Sequence, residues 1–163
     1  MSEPKKNRIK SLKPKDPAKR KKGDPKSGYF DTSKSTKYTN SDPCIYRSGL
    51  ELDIFSMFEN SDVYLAWESE PNLGIKYMFG DKQRTYYVDA IFEHKSMGKY
   101  LCEIKPFTQT VLPKMGKNRN QVTYDRAMVT YEQNLAKWTA ASKYASEHGF
   151  KFCILTEKFL KNG

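Results

Sequence analysis

Two acidic residues and a lysine near the middle of the chain have the types and spacing of a site for phosphodiester hydrolysis. Asp89 lies in a segment rich in aromatic and β-branched residues, 84–93, and a second such segment, 99–105, contains Glu103 and Lys105. The five residues between the two segments are polar and end in a glycine, which is typical of a hairpin loop. The sequence therefore predicts two antiparallel strands.

The register of this predicted hairpin places the charged residues together. If the loop closes symmetrically about Ser96, Asp89 faces Glu103, and Tyr87 faces Lys105. Because side chains alternate along a strand, Asp89, Glu103 and Lys105 then share one face. The opposite face is predicted to be apolar, with Val88, Ala90, Phe92, Cys102 and Ile104. A solvent-facing hairpin with scattered charges is the alternative, and the apolar opposite face and Pro106 argue against it.

Electrostatics favours a cation between the two carboxylates. Two ionised carboxylates about 5 Å apart repel each other by roughly 3 kcal/mol at an effective dielectric of about 20. A divalent cation such as Mg²⁺ or Mn²⁺ offsets that repulsion and keeps open positions for water and a phosphate. The ammonium group of Lys105 is predicted to orient an attacking water and to offset charge on the phosphate.

Asp89 and the Glu103-x-Lys105 motif, preceded by a predicted helix with Glu51, resemble the PD-(D/E)xK restriction-endonuclease-like superfamily. The closer likeness is to TnsA-type transposon endonucleases and to head completion proteins of large contractile-tailed phages. The matching stretches are Tyr46–Glu51, Ser69–Pro71, Tyr87–Asp89, Glu103–Pro106, Asn134–Trp138 and Phe152–Glu157. One departure is Val88, which stands where the superfamily usually has a proline.

The resemblance implies a Mg²⁺- or Mn²⁺-dependent DNA endonuclease. Asp89, Glu103 and the backbone carbonyl of Ile104 are then expected to bind the metal, with Glu51 completing the shell or holding a water. Lys105 is expected to position the nucleophile. In a phage, the implied role is trimming or processing of packaged DNA ends during head completion, with portal, neck or capsid proteins as partners. The implied location is the head-neck region of the virion and the host cytoplasm.

Glu51 has two interpretations. Ser48-Gly-Leu-Glu51 fits a helix capping box, in which Ser48 accepts from the N3 amide and Glu51 reaches back to the N-cap amide. Alternatively, Glu51 reaches the hairpin, because Leu50, Ile54 and Phe58 form a stripe that would pack the helix against the sheet. Both interpretations stay open at this stage.

The first 42 residues are predicted to form a basic arm that is disordered on its own. They contain 13 Lys or Arg and 5 Asp or Glu, a net charge of +8 within the +10 of the whole chain. The candidate DNA-binding residues in the arm are Lys5, Lys6, Arg8, Lys19, Arg20, Lys21 and Lys22. Such an arm binds either nucleic acid or a protein partner. Tyr29, Phe30 and Tyr38 could anchor its last part on a partner.

Residues 43–163 are predicted to form one α/β domain, with a mixed sheet of about five strands flanked by helices in the order α-β-β-β-β-α-β. Helices are expected at 45–60 and from Tyr124 to a stop at Gly149, and a final parallel strand at 150–156. The loop before the long helix carries Lys114, Lys117 and Arg119, which either contact DNA or only connect the elements. On the helix, Gln133, Asn134 and Lys137 either approach DNA, as the resemblance implies, or are ordinary surface residues.

Other chemistries find little support in the sequence. The three cysteines show no paired spacing, the two histidines are isolated, and no phosphate-binding glycine motif occurs. No apolar stretch long enough to cross a membrane and no signal peptide are recognised, so we expect no membrane partner. Two other functions remain. One is a non-catalytic structural or DNA-binding component of the head-neck region. The other is a transposase endonuclease subunit, which is disfavoured because no additional C-terminal domain follows.

Overall fold

The protein is described here from a computed structural model that covers residue 22 and residues 26–161. Eight strands and three α-helices occur in the described part. The strands are β1 (Gly28–Phe30), β2 (Cys44–Tyr46), β3 (Tyr64–Ser69), β4 (Ile75–Phe79), β5 (Lys82–Tyr86), β6 (Ala90–His94), β7 (Gly98–Ile104) and β8 (Lys151–Leu155). The helices are α1 (Gly49–Asn60), α2 (Gln121–Glu147) and α3 (Glu157–Lys161), with a short 3-10 turn at Phe107–Gln109.

A four-stranded sheet in the order β3-β6-β7-β8 forms the centre of the domain. Strand β6 is antiparallel to both β3 and β7, whereas β7 and β8 are parallel. The parallel pair follows from the chain order, because α2 carries the chain from the end of β7 back to the start of β8. The predicted mixed α/β sheet is confirmed. Within the described residues, β1 with β2 and β4 with β5 form separate two-stranded ribbons.

The predicted hairpin has the expected register. Ile91 faces Leu101 and Glu93 faces Lys99 across β6 and β7. The ladder ends at Ala90 and Cys102, however, because the predicted strand 84–93 is divided into β5 and β6. The prediction that Tyr87 pairs with Lys105 on a continuing ladder is therefore wrong. The chain also forms five strands between α1 and α2, where four were predicted.

The two faces of the central sheet have separate cores. On the α1 side, Ile54, Phe55 and Phe58 are buried against apolar residues of the sheet, including Trp67 and Phe92. On the α2 side, the buried cluster comprises Ile75, Tyr77, Tyr86, Val88, Leu101, Ala141 and Ala145. Val88 was predicted to lie on the same face as Ala90 and Phe92, and this was wrong, since alternation does not continue through the irregular backbone before β6.

Part of the predicted arm packs on the domain. Residues 37–39 run along the edge of β3, where Trp67 N donates to Lys37 O over 3.1 Å and Thr39 N donates to Trp67 O over 3.0 Å. The rings of Phe30 and Tyr38 contact the ring of Trp67, with centroids 5.5 and 4.7 Å away. These aromatic residues thus contact the protein's own sheet. The arm residues from Lys5 to Lys21 lie outside the described residues, and Lys22 is exposed.

The packing around Trp67 predicts a large loss of stability on truncation. Trp67 is 1% exposed and also donates from Nε1 to Glu59 Oε2 over 2.8 Å. We expect Trp67→Ala to lower the free energy of unfolding by about 3–5 kcal/mol, measured by urea denaturation. Leu65→Ala is the control on the same strand, because Leu65 is 52% exposed, and it should cost no more than about 0.5 kcal/mol. Equal losses in the two variants would contradict the described packing.

Candidate active site at the ends of three strands

The predicted charged residues lie where β7 ends, β6 begins and β3 ends. Asp89 N donates to Cys102 O over 3.0 Å, and Glu70 N donates to Asp89 O over 2.8 Å. These backbone bonds fix Asp89, just before β6, between its two neighbouring strands. Glu103 is the next-to-last residue of β7 and is only 5% exposed. The site is therefore set into the domain rather than on a solvent-facing hairpin.

Asp89 bonds directly to the neighbouring strand. Its Oδ2 accepts from Ile104 N over 2.7 Å. Because the N–H and C=O of one strand residue point to the same side, the Ile104 carbonyl is directed toward the Asp89 edge as well. Burial raises the pKa of Asp89 well above its usual value, and the nearby Glu103 carboxylate raises it further, while the Ile104 N–H opposes both effects. A proton or a cation therefore stabilises this carboxyl.

Glu103 has one partner on each carboxylate oxygen. Its Oε1 lies 3.0 Å from Lys105 Nζ, and its Oε2 accepts from the Tyr86 hydroxyl. Burial raises the pKa of Tyr86, and the Glu103 charge adds to this, so the phenol stays a donor. The Lys137 ammonium lies 5.8 Å from the centre of the Tyr86 ring. The structure thus brings Asp89, Glu103 and Lys105 together, and Lys137 of α2 lies over the ring of Tyr86, which bonds to Glu103.

Glu51 acts in helix capping and also lies close to the acidic groups. Ser48 Oγ accepts from Glu51 N over 3.1 Å, as predicted, whereas Glu51 Oε2 accepts over 2.6 Å from Arg47 N, one residue before the predicted donor. Burial raises the pKa of Glu51, and the carboxylates of Glu70 and Glu103 contribute in the same direction. The two interpretations of Glu51 are therefore compatible.

Two residues of this network were not recognised as site residues from the sequence. Glu70 accepts from Arg47 through both carboxylate oxygens, with distances of 2.7 and 3.1 Å. It has a φ of 46°, the one positive φ among non-glycine residues of the described chain, and such strain often marks functional positions. Glu70 lies in Ser69–Pro71, one of the stretches that resemble the family, but the periodicity of the sequence does not show that its side chain lies at the site. Tyr86 was missed because alternation through 84–93 placed Tyr87 beside the site.

The residues predicted to support the site or to bind DNA are spread along α2 and the loop before it. Gln133 Nε2 donates to Tyr77 OH over 2.8 Å, and Asn134 is 6% exposed. Lys114, Lys117 and Arg119 are exposed, and Arg119 Nη1 donates to Lys114 O over 3.3 Å. Of these residues, Lys137 is the one whose charged group lies near Tyr86, a hydrogen-bond partner of Glu103.

The donor set is suited to a hard cation but is small. In the described part of the chain, no group of three or more His, Cys, Asp or Glu residues is arranged to hold a metal ion. The candidate donors are two carboxylates, of Asp89 and Glu103, and the Ile104 carbonyl, all of them oxygens. The Glu103 carboxylate raises the pKa of Asp89 by charge repulsion, and a bound cation would relieve that repulsion. Such a site would leave positions for water and substrate.

Comparison with known proteins identifies the family. Residues 61–157 match the model of the family described as TnsA-like endonuclease N terminal, a range that contains Asp89, Glu103 and Lys105 but not Glu51. The chain is 32% identical over 121 residues to the Head completion nuclease of Enterobacteria phage T4, covering 71% of this chain and 80% of that protein. No described helix is both long and apolar enough to span a membrane. The chain belongs to the TnsA-like endonuclease family.

Proposed function

We propose that this protein is a DNA endonuclease that depends on Mg²⁺ or Mn²⁺ and processes DNA at the phage head during head completion. The observation that carries the proposal is the grouping of Asp89, Glu103 and Lys105 at the strand ends, with a Glu103–Lys105 distance of 3.0 Å. Family membership and the likeness to a head completion nuclease support it. Portal, neck or capsid proteins are the proposed partners, in the virion head-neck region and the host cytoplasm.

Asp89, Glu103 and the Ile104 carbonyl are the proposed metal ligands, and Glu51 a further or water-mediated one. The bound cation would supply Lewis-acid activation of water and neutralise charge on the phosphate. The hydrogen bond from Ile104 N fixes the Asp89 carboxylate in position. The Tyr86 hydroxyl orients Glu103 and leaves its other oxygen to Lys105. Partners of this kind tune ligand orientation and basicity.

Lys105 has the proposed role of orienting the attacking water and stabilising negative charge on the phosphate. Its side chain is 19% exposed and its ammonium is held beside Glu103. A fixed ammonium in a partly desolvated site interacts more strongly with developing charge than one in bulk water. Lys114, Lys117, Arg119 and the basic arm would then contact the DNA backbone and give binding that weakens with salt.

A cleavage assay tests the proposed function. The full chain is incubated with circular and linear DNA in Mg²⁺, in Mn²⁺ and in EDTA. We expect circular DNA to be nicked or linearised only with a metal ion, which also distinguishes endonuclease from exonuclease activity. Absence of cleavage in both metals, with DNA or capsid binding retained, would favour the structural component instead.

The Tyr86 hydroxyl gives a prediction about the support of Glu103. Tyr86→Phe should lower metal-dependent cleavage by about 10–100-fold, because it removes the donor that holds Glu103 Oε2. The measurement is the cleavage rate as a function of Mg²⁺ concentration, and the variant should need more Mg²⁺.

Tyr100→Phe is the matched control for the loss of a phenol hydroxyl. Tyr100 packs with the cluster on the opposite, α1 side of the sheet, where its ring stacks on Phe92. Its replacement should leave the rate and the Mg²⁺ requirement unchanged. If the two variants behave alike, Tyr86 has no special role in the site.

A further inference from the structure

A cleft beside the candidate active site has features that the proposed metal chemistry does not use. It has a volume of about 360 Å³ and lies between the segment after β7 and the N-terminal half of α2. Its lining includes Thr108, Gln109, Arg119, Arg126, Tyr131 and Asn134. The lining thus combines two guanidinium groups, an aromatic ring and several neutral polar groups.

The cleft is close to Lys105 along the chain, because Thr108 and Gln109 line it. Helix α2 runs antiparallel to β7, since it returns the chain to the start of the parallel strand β8. Ala141 packs in one cluster with Leu101. From Leu101 to Lys105 the strand advances by about 13 Å, which equals about nine helical residues and leads from Ala141 back to Glu132, in the same helical turn as Asn134. Arg126 lies about 12 Å farther along the helix than Asn134.

Asn134 gives the cleft an amide that can bond to a polar ligand. The residue is 6% exposed and borders the cleft, and it forms no side-chain hydrogen bond within the described part of the chain. Among the described residues, the buried side-chain polar atom without a partner is Trp138 Nε1, so the Asn134 amide still reaches the cleft and can bond to a ligand there. Because the amide has both a donor and an acceptor, it matches the edge of a nucleobase.

The other lining residues match the remaining parts of a nucleotide. The guanidinium groups of Arg119 and Arg126 are suited to phosphate oxygens, and the Tyr131 ring to the face of a base. The volume of the cleft is in the range of small-ligand sites, whereas a DNA duplex is far too wide to enter it. These features suit a single unstacked nucleotide.

We propose that this cleft binds an unpaired nucleotide of the DNA strand close to the scissile phosphate, with Arg119 and Arg126 on its phosphate and Asn134 on its base. The protein then prefers DNA with single-stranded ends or unpaired positions over continuous duplex. This inference rests on the proposed endonuclease function in taking DNA as the ligand and in placing the scissile phosphate at Lys105.

Binding in EDTA tests the proposal independently of catalysis. Fluorescence anisotropy compares a blunt duplex with the same duplex carrying a single-stranded end, using the full chain. We expect tighter binding of the single-stranded end by the wild type. Arg126→Gln should weaken binding of that DNA by roughly tenfold and of the blunt duplex by much less. Asn134→Leu should also reduce the preference, with its folding checked by thermal melting.

Lys143→Gln is the matched control, because it removes one positive charge from the same helix. Lys143 is exposed and lies about 25 Å from Arg126 along α2. It should leave the preference unchanged.

Three outcomes would overturn the proposal. They are absence of a preference in the wild type, equal effects of Arg126→Gln and Lys143→Gln, and equal weakening of both DNAs by Arg126→Gln. A protein that shows the preference but cleaves no DNA in Mg²⁺ or Mn²⁺ would instead contradict the proposed function alone.

Discussion

Replacing Asp89 with asparagine is expected to lower the rate of Mg²⁺-dependent DNA cleavage by about 10³-fold. The asparagine side chain would keep an oxygen to accept from Ile104 N, so the local backbone should stay in place. It would lack the negative charge that the proposed site uses to hold a cation. The measurement is the rate of cleavage of circular DNA at saturating Mg²⁺, with DNA binding in EDTA measured in parallel.

The same substitution should stabilise the metal-free protein. In the wild type, the charged form of Asp89 is disfavoured by burial and by Glu103, as its raised pKa shows. Removing that charge should raise the free energy of unfolding by roughly 1 kcal/mol, a gain typical of relieving strain at a functional site. Conversely, Mg²⁺ should raise the melting temperature of the wild type but not of the variant.

Asp53→Asn is the control for loss of an acidic charge, since Asp53 is exposed on α1. It should change neither cleavage nor the effect of Mg²⁺ on melting. Cleavage by Asp89→Asn at the wild-type rate would exclude Asp89 as a metal ligand. Loss of cleavage together with loss of folding would instead assign Asp89 a structural role.

The hairpin could be predicted because local chemistry determines it. A polar loop ending in Gly98 fixes the register, and that register places Ile91 opposite Leu101. The parallel position of β8 also followed from the sequence, since a long amphipathic helix separates it from β7. These features depend on neighbouring residues along the chain, which is the information that a sequence pattern contains.

The break between β5 and β6 could not be predicted in the same way. Both halves of 84–93 have aromatic and β-branched residues, so composition alone indicates one strand. In the structure, β5 pairs with β4 in a separate ribbon, and the chain then turns into the central sheet. That change of partner places Tyr86, rather than Tyr87, beside Glu103. The break between β5 and β6 depends on pairing between strands, and the alternation of side chains along one segment does not reveal that pairing.

The contacts of Glu70 likewise depend on tertiary structure. Arg47 precedes α1 and Glu70 follows β3, so their ion pair joins residues from distant parts of the chain. It also places a further acidic group close enough to raise the pKa of Glu51. A sequence motif could indicate that Ser69–Pro71 belongs to the family pattern, but not that Glu70 bonds to Arg47. The candidate site is therefore larger than the motif that led to it.

The buried position of Glu103 changes what Lys105 is expected to do. On a solvent-facing hairpin, an ion pair between them would contribute little. Here the side chain of Glu103 is 7% exposed and that of Lys105 is 19% exposed, so their interaction is weakly screened. The lysine both balances the charge of the buried Glu103 carboxylate and presents an ammonium at the place proposed for the phosphate. Its loss should therefore affect stability and catalysis separately.

Lys105→Met is expected to lower the rate of cleavage by about 10²–10³-fold, because methionine keeps the apolar side-chain volume but removes the ammonium. Lys105→Arg should restore little activity, since the planar guanidinium has a different shape and hydrogen-bonding geometry. Single-turnover cleavage at saturating Mg²⁺ measures the effect. The metal-free variant should also be less stable than the wild type, since Glu103 loses a partner, and Mg²⁺ should reduce that difference.

Lys99→Met provides the matched control for Lys105→Met. Lys99 lies on the same strand and the same face of the sheet, but it is exposed and faces Glu93 at the opposite end of the hairpin from the site. Its replacement removes an identical charge without altering the site, so cleavage should stay close to the wild-type rate. If Lys99→Met and Lys105→Met reduce cleavage equally, general attraction of DNA explains both effects. A large loss confined to Lys105→Met, with Mg²⁺-induced stabilisation retained, identifies an ammonium that acts on the reacting phosphate rather than on metal binding.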